Sequence, residues 1–212
     1  MNGPFHLPTR TQGVLADGLN AEALEAHIAA VLPHARISYE RDMLTLNVPP
    51  EQLIDTVTVL RDDAELACEL LSDLAGVHWP AGDHDIQRQV STTGWPDYRL
   101  SRDVGMIEVT YTLRSVSRNH LLRIVVATPD LNPCVPSVTG VYATANFHER
   151  EVYDFFGVIF TDHPGLERIL MPDDWDGHPH RKDYPLGGVD VEYKNNLLIP
   201  SPQERSLREV VE

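Results

Sequence analysis

VGMIEVTYTLRS (104–115) and HLLRIVVAT (120–128) are the two segments that decide the fold. Both are rich in β-branched residues, and the first alternates in part between apolar and polar positions, as a strand with one face on a core does. Ser117-Arg118-Asn119 supplies the turn between them, so the pair reads as one long antiparallel hairpin.

Upstream, Asn20 is placed to cap a helix over 21–32. Leu24, Ile28, Val31 and Leu32 recur at helical spacing, and Pro33 stops the run. Residues 35–40 and 43–48 read as two short strands with Arg41-Asp42 as the tight turn. Pro50 suits the first position of a second helix, with Leu53, Ile54, Val57 and Leu60 as its apolar stripe. Residues 67–79 fit a strand or a continuing helix by pattern and are read as a strand ending near Trp79-Pro80. Residues 80–103 carry Gly, Pro, Asp and His without periodicity and read as a long loop. Residues 1–18 read as a loose, flexible arm.

Downstream, 130–136 is a proline-bearing connector, and Ser137 could cap a short helix over 138–145. Asn146 and Glu149 have capping-box spacing, which starts a helix ending at Gly157. Val152 and Phe156 share one face of it, and Glu149 and Glu151 fall in its first turn, where the helix dipole favours negative charge. Beyond Phe160 regular structure is scarce until Ser201 to Glu204, a second capping box with Pro202 at the first helical position. The resulting expectation is an α+β (mixed α/β) fold. A mixed, mostly antiparallel sheet covered by helices occupies 19–160. A long irregular tail with a short terminal helix, 161–212, wraps a partner.

Composition narrows the function. The chain has 17 basic and 32 acidic residues and a net charge of −15. Phosphate contacts and anionic lipid both require clustered Lys and Arg, so neither nucleic acid nor a bare membrane surface fits. No stretch approaches the roughly 20 apolar residues of a membrane helix, and the N-terminus has neither signal nor transit layout. Cys68 and Cys134 belong to no CxxC pair and cannot hold an iron–sulfur or zinc site unaided; both are expected as buried free thiols. No phosphate loop, dinucleotide-binding GxGxxG or nucleophile elbow is present.

The chemically dense segment is 149–187, EREVYDFFGVIFTDHPGLERILMPDDWDGHPHRKDYPLG. It carries nine acidic and four basic side chains among Phe155, Phe156, Trp175 and Tyr184. A solvated face does not need the aromatics and a core does not tolerate the charges, so the mixture suits an interface. His163, Asp173, Asp174, Asp176, His178, His180 and Asp183 are metal-ligand types, but His178-Pro179-His180 lacks the spacing that presents two ligands from one helix face. Glu149 and Glu151 do not face each other on a helix and are read as helix-end and ion-pair residues. Arg168, Arg181 and Lys182 are expected in salt bridges, and Trp175 and Tyr184 as interface anchors. A stand-alone metal-dependent hydrolase using His163, His178 and the Asp cluster is the rival reading.

The same segment resembles the signature region of the C subunit, also called the 30-kilodalton subunit, of NADH-quinone oxidoreductase (respiratory complex I). The matching elements are Glu149-Arg150-Glu151, Tyr153-Asp154, Gly157, His163-Pro164, Arg168-Ile169-Leu170 and Pro172-Asp173-Asp174-Trp175. They continue with Gly177-His178-Pro179 and Arg181-Lys182-Asp183-Tyr184-Pro185-Leu186. The likeness spans roughly 35–187, with Phe147 where the family commonly has tryptophan. The resemblance implies a subunit with no catalytic, cofactor or metal residues of its own. FMN and iron–sulfur clusters would reside in partner subunits of a proton-translocating NADH:quinone oxidoreductase. It implies contact above all with the D subunit, and with the cluster-bearing subunits B and I of the quinone module. The chain would then sit on the cytoplasmic side of the cell membrane, peripheral through the complex. Glu149, Arg150, Glu151, Tyr153, Phe156, His163, Arg168, Ile169, Asp173, Asp174, Trp175, His178, Arg181, Lys182, Asp183 and Tyr184 would form the partner interface. An equivalent subunit of a membrane-bound hydrogenase or another quinone reductase fits the same resemblance.

Overall fold

In a computed structural model, which describes residues 21–40, 43–85 and 99–185, the chain begins with α1 (Ala21–Val31), β1 (Arg36–Glu40) and β2 (Met43–Asn47). A 3-10 turn (Pro50–Gln52) then leads into α2 (Leu53–Asp62), followed by β3 (Leu70–Trp79), β4 (Gly82–Asp85) and β5 (Arg99–Arg102). The long hairpin is β6 (Met106–Ser115) and β7 (His120–Pro129). After it come β8 (Cys134–Pro136), α3 (Ala145–Phe156) and β9 (Ile159–Thr161). The arm at 1–18, the Arg41-Asp42 turn, the Asn20 cap and the Ser201 helix lie outside the described residues.

The hairpin is the centre of the sheet. Its register runs from Met106↔Pro129 to Ser115↔His120, and Asn119 at the turn has φ of 54°. Asparagine tolerates that left-handed conformation because its short polar side chain can bond locally. Alternation puts Ile107, Val109, Tyr111 and Leu113 on one face, opposite Thr128, Val126, Ile124 and Leu122; all are buried. β3 and β2 then flank the hairpin to give the order β1-β2-β7-β6-β3. β2 runs parallel to β7 and every other pairing in this sheet is antiparallel. The sheet is therefore mixed and mostly antiparallel. Leu24, Ile28 and Leu32 of the first helical segment and Leu53, Val57 and Leu60 of α2 join the same core. The two are also tied by His27 to Asp63 at 3.0 Å and His34 to Thr56 at 2.8 Å.

β3 reaches the core through an irregularity. Its register shifts between Leu71 and Asp73, so one extra residue is accommodated there. The shift lets Leu71 and Leu74, which differ in parity, both face inward. The same parity brings Gly76 and His78 to the inner face. Gly76 lies against Phe156 of α3, where an added Cβ would sit 2.6 Å from the ring.

Three expectations need correction. Residues 80–103 are not simply a loop, since β4 and β5 pair antiparallel from Gly82↔Arg102 to Asp85↔Arg99. The absence of periodicity hid strands of only four residues. The expected helix over 138–145 is not formed, since 138–144 run as turns up to the start of α3; the amides of Val141 and Tyr142 both bond to the carbonyl of Val138. Cys134 is exposed, because it opens the short strand β8, whereas Cys68 is buried as expected.

A Gly76→Val substitution should cost about 1–3 kcal/mol through overpacking against Phe156, measured as a lowered denaturation midpoint of the purified chain.

Candidate functional site

The candidate site is the seam where α3 receives the segment that comes after it. α3 ends at Gly157 in a left-handed cap of φ 77°, with its N–H on the Tyr153 carbonyl. A side chain is excluded there twice over, since a Cβ would also meet the His178 ring at 2.6 Å. β9 comes next and pairs parallel with β8. Residues 162–185 then pack back on α3 and β3 without forming further helix or strand.

Asp154 organises that return. Its buried carboxylate accepts the backbone N–H groups of Ile169 (3.1 Å), Leu170 (2.8 Å) and Met171 (2.9 Å), and the Arg168 guanidinium at 2.6 Å. Arg168 also donates to the carbonyls of Trp175 and Gly177, both at 3.0 Å. Burial alone would raise this carboxyl's pKa. The three amides and the guanidinium outweigh it and hold the group down at about 2. Arg150 closes the next turn, donating to the carbonyls of Glu167 and Arg168.

Glu149 lies on a different side of the helix in a poorer environment. Its oxygens accept only Ser137 Oγ and the Val138 N–H, each at 2.7 Å, and its side chain is fully buried. Burial dominates and pushes its pKa up to about 7 despite those two bonds. The expected capping box is therefore not made. The helix begins at Ala145, so Glu149 lies beyond its first turn, and the carboxylate bonds the β8–α3 connection instead. Ser137 consequently serves Glu149 and Thr139 rather than a helix.

The histidines are likewise committed within the chain. His163 accepts from the Gly165 N–H through Nδ1 and donates to the Asn146 carbonyl through Nε2. His178 donates from Nδ1 to the Asp154 carbonyl at 2.9 Å and meets Tyr153 edge-on. His180 stacks on Phe155 with ring centroids 4.0 Å apart. On β3, buried His78 bonds Asp130 through Nε2 at 3.2 Å and takes the Lys182 backbone N–H on Nδ1 at 2.9 Å. Arg181 is held by Asp183 at both carboxylate oxygens and by the Asp130 carbonyl. Tyr184 donates to the Asp176 carbonyl.

The sixteen residues expected at an interface thus divide. Glu149, Phe156 and the side chain of His163 are buried in the chain's own structure. Arg150, Arg168, Ile169, His178 and Arg181 are half-buried and tie the returning segment down, and Trp175 offers its carbonyl to Arg168. Glu151, Asp173, Asp174, Lys182 and Asp183 are exposed, and Tyr153 and Tyr184 half so. Sequence reasoning missed Asp154 as the organiser, and missed His78 and Asp130. Asp154 was visible only as one letter of the signature, and nothing local links His78 to Asp130. Among the described residues no group of three or more His, Cys, Asp or Glu converges as a metal site. The buried Cys68 thiol is pushed up to about 12 by burial, with Glu69 and Asp63 adding to the shift, which makes it a poor nucleophile.

A family model described as the respiratory-chain NADH dehydrogenase 30 Kd subunit matches residues 46–190. The chain is 47% identical over 176 residues to the C subunit of the NADH-quinone oxidoreductase of Acidothermus cellulolyticus, covering 82% of this chain and 81% of that one. It is 43% identical over 192 residues to the corresponding subunit of a Nocardioides species, covering 91% and 68%. Among solved structures, a chain of the membrane-bound sulfane sulfur reductase, an archaeal respiratory membrane complex, aligns with a TM-score of 0.54. That match is 21% identical and covers 82% of this chain and 95% of the other, a likeness of fold.

The two carboxylates should give opposite pH dependences. Asp154 is depressed, so its stabilisation is complete above its ordinary value of 3.8 and is lost as pH falls through about 2. Asp154→Ala strands three amides and a guanidinium and should cost about 3–5 kcal/mol, read by denaturant unfolding at pH 7. Glu149 is raised, so its contribution is complete below its ordinary value of 4.5 and is lost as pH rises to about 7. Across that window wild-type stability should fall relative to Glu149→Gln by up to about 1.4 kcal/mol per pH unit. Chemical denaturation of both proteins between pH 5 and 8 checks it; parallel curves would remove the assignment.

Proposed function

Because the chain belongs to the respiratory-chain NADH dehydrogenase 30-kilodalton subunit family, we propose that it is a non-catalytic scaffold of the quinone module. The complex to which its relatives belong is an NADH-quinone oxidoreductase. In this reading the holoenzyme carries electrons from NADH through FMN and iron–sulfur clusters in partner subunits to quinone and translocates protons. This chain holds the D subunit and the cluster-bearing subunits B and I in register. It is peripheral on the cytoplasmic side of the cell membrane, attached through the complex; no helix among the described residues is long and apolar enough to cross a membrane.

One observation carries the reading. The seam's charges are spent inward, on Asp154, Arg168, Arg150 and Arg181, which makes the returning segment a rigid part of the surface. Large apolar groups are left outside beside it: Phe147 is 64% exposed and Leu170 59% exposed. A surface with its backbone pre-set and its apolar groups exposed binds at low entropic cost. The two histidines that a metal-dependent hydrolase would need, His163 and His178, are engaged with backbone partners of this chain.

Phe147→Asp combined with Leu170→Asp should change the stability of the purified chain by less than about 0.5 kcal/mol each, as exposed positions do. The same substitutions should reduce the respiratory subunits co-purifying with the tagged chain and, in parallel, NADH:quinone reductase activity in membranes. Normal assembly and activity would remove this face from the interface.

A further inference from the structure

We propose that the cavity between β3 and the returning segment receives a non-polar side chain of a neighbouring subunit whose adjacent carboxylate pairs with Lys182. The proposal rests on the docking reading above and names the chemistry of the partner. The cavity is about 430 Å³; Val77, Phe156, Pro179 and Tyr184 form its apolar wall, and Lys182 lines it together with His78, His180 and Arg181. Such a volume admits a whole aromatic or aliphatic side chain.

Lys182 is the singular group here. Of the four basic residues in the segment, Arg150, Arg168 and Arg181 are all consumed by carbonyls and carboxylates of this chain. The Lys182 side chain is exposed and makes no hydrogen bond or ion pair among the described residues. Its backbone is nevertheless held firmly, by its own N–H on His78 Nδ1 at 2.9 Å and by Arg181 next to it on the Asp130 carbonyl. A fixed backbone carrying a cation that no acid among the described residues engages points to a carboxylate supplied by a neighbouring subunit. The apolar wall explains why that carboxylate should have a non-polar neighbour. Phe156 is already packed into the core, while Val77 remains 37% exposed and Tyr184 half-buried, so part of the cavity's rim is apolar surface beside the exposed His180 and Lys182.

The test uses the assembled complex, purified through a tag on this chain and treated with a zero-length carbodiimide, which joins an ammonium to a carboxylate it already touches. The assignment is simple, because Lys182 and Lys194 are the only lysines in the chain. The expected product is an amide between Lys182 and an Asp or Glu of another subunit that has an apolar side chain beside it in sequence. Lys182→Glu should lower the yield of assembled complex about tenfold or more, with Lys182→Arg close to wild type. Coupling of Lys182 only to acids of this chain, no coupling at all, or normal assembly of Lys182→Glu would each overturn the proposal while leaving the docking reading in place. A wild-type tagged chain that brings down no other subunit would overturn both.

Discussion

A single buried carboxylate closes this fold. Asp154 gathers three consecutive backbone amides and a guanidinium, and everything from Arg168 to Gly177 is positioned from that point. The three amides belong to a stretch without helix or strand, whose donors would otherwise need water or some other acceptor. An ionised acceptor satisfies all three at once, and the guanidinium balances its charge. The irregular segment therefore has a defined path without a core of its own. His178 and His180 then lock it at the carbonyls of Asp154 and Phe155.

Glu149 shows how much the donor count matters. It sits on the same helix as Asp154 and both are shut off from solvent, but Glu149 lies deeper in the protein and meets two neutral donors rather than three amides and a cation. Desolvation wins at Glu149 and loses at Asp154. One helix thus holds one carboxylate that is firmly ionised and another whose proton is poised near neutrality. Asp154 fastens the segment on the C-terminal side of the helix; Glu149 fastens the Ser137-Val138 connection on its N-terminal side.

The division between inward and outward residues reframes the charged signature. Its arginines, together with Glu149, Asp154 and Asp183, hold the chain on itself, which gives the family signature a structural meaning before any partner is considered. The exposed remainder, including Phe147, Leu170, Glu151, Asp173 and Lys182, is left on the surface.

Local pattern was sufficient for the elements whose causes are local. The β6–β7 hairpin, the apolar stripes of the two N-terminal helices and the Gly157 cap all arise from side-chain period or from one residue's backbone freedom. Membership of the family was legible too, because a long signature is a property of the sequence itself. Tertiary structure alone decided the parallel pairing of β2 with β7, the pairing of the four-residue strands β4 and β5, and the partners of the buried charges. Asn146 and Glu149 have perfect capping spacing, yet packing carried Glu149 to Ser137. His78 found Asp130 across 52 residues, and Asp154 found Arg168 across 14. Spacing along a chain reports which side chains share a face; it cannot report which distant donor will lie beside a buried carboxylate, because that is settled by how the surrounding core packs.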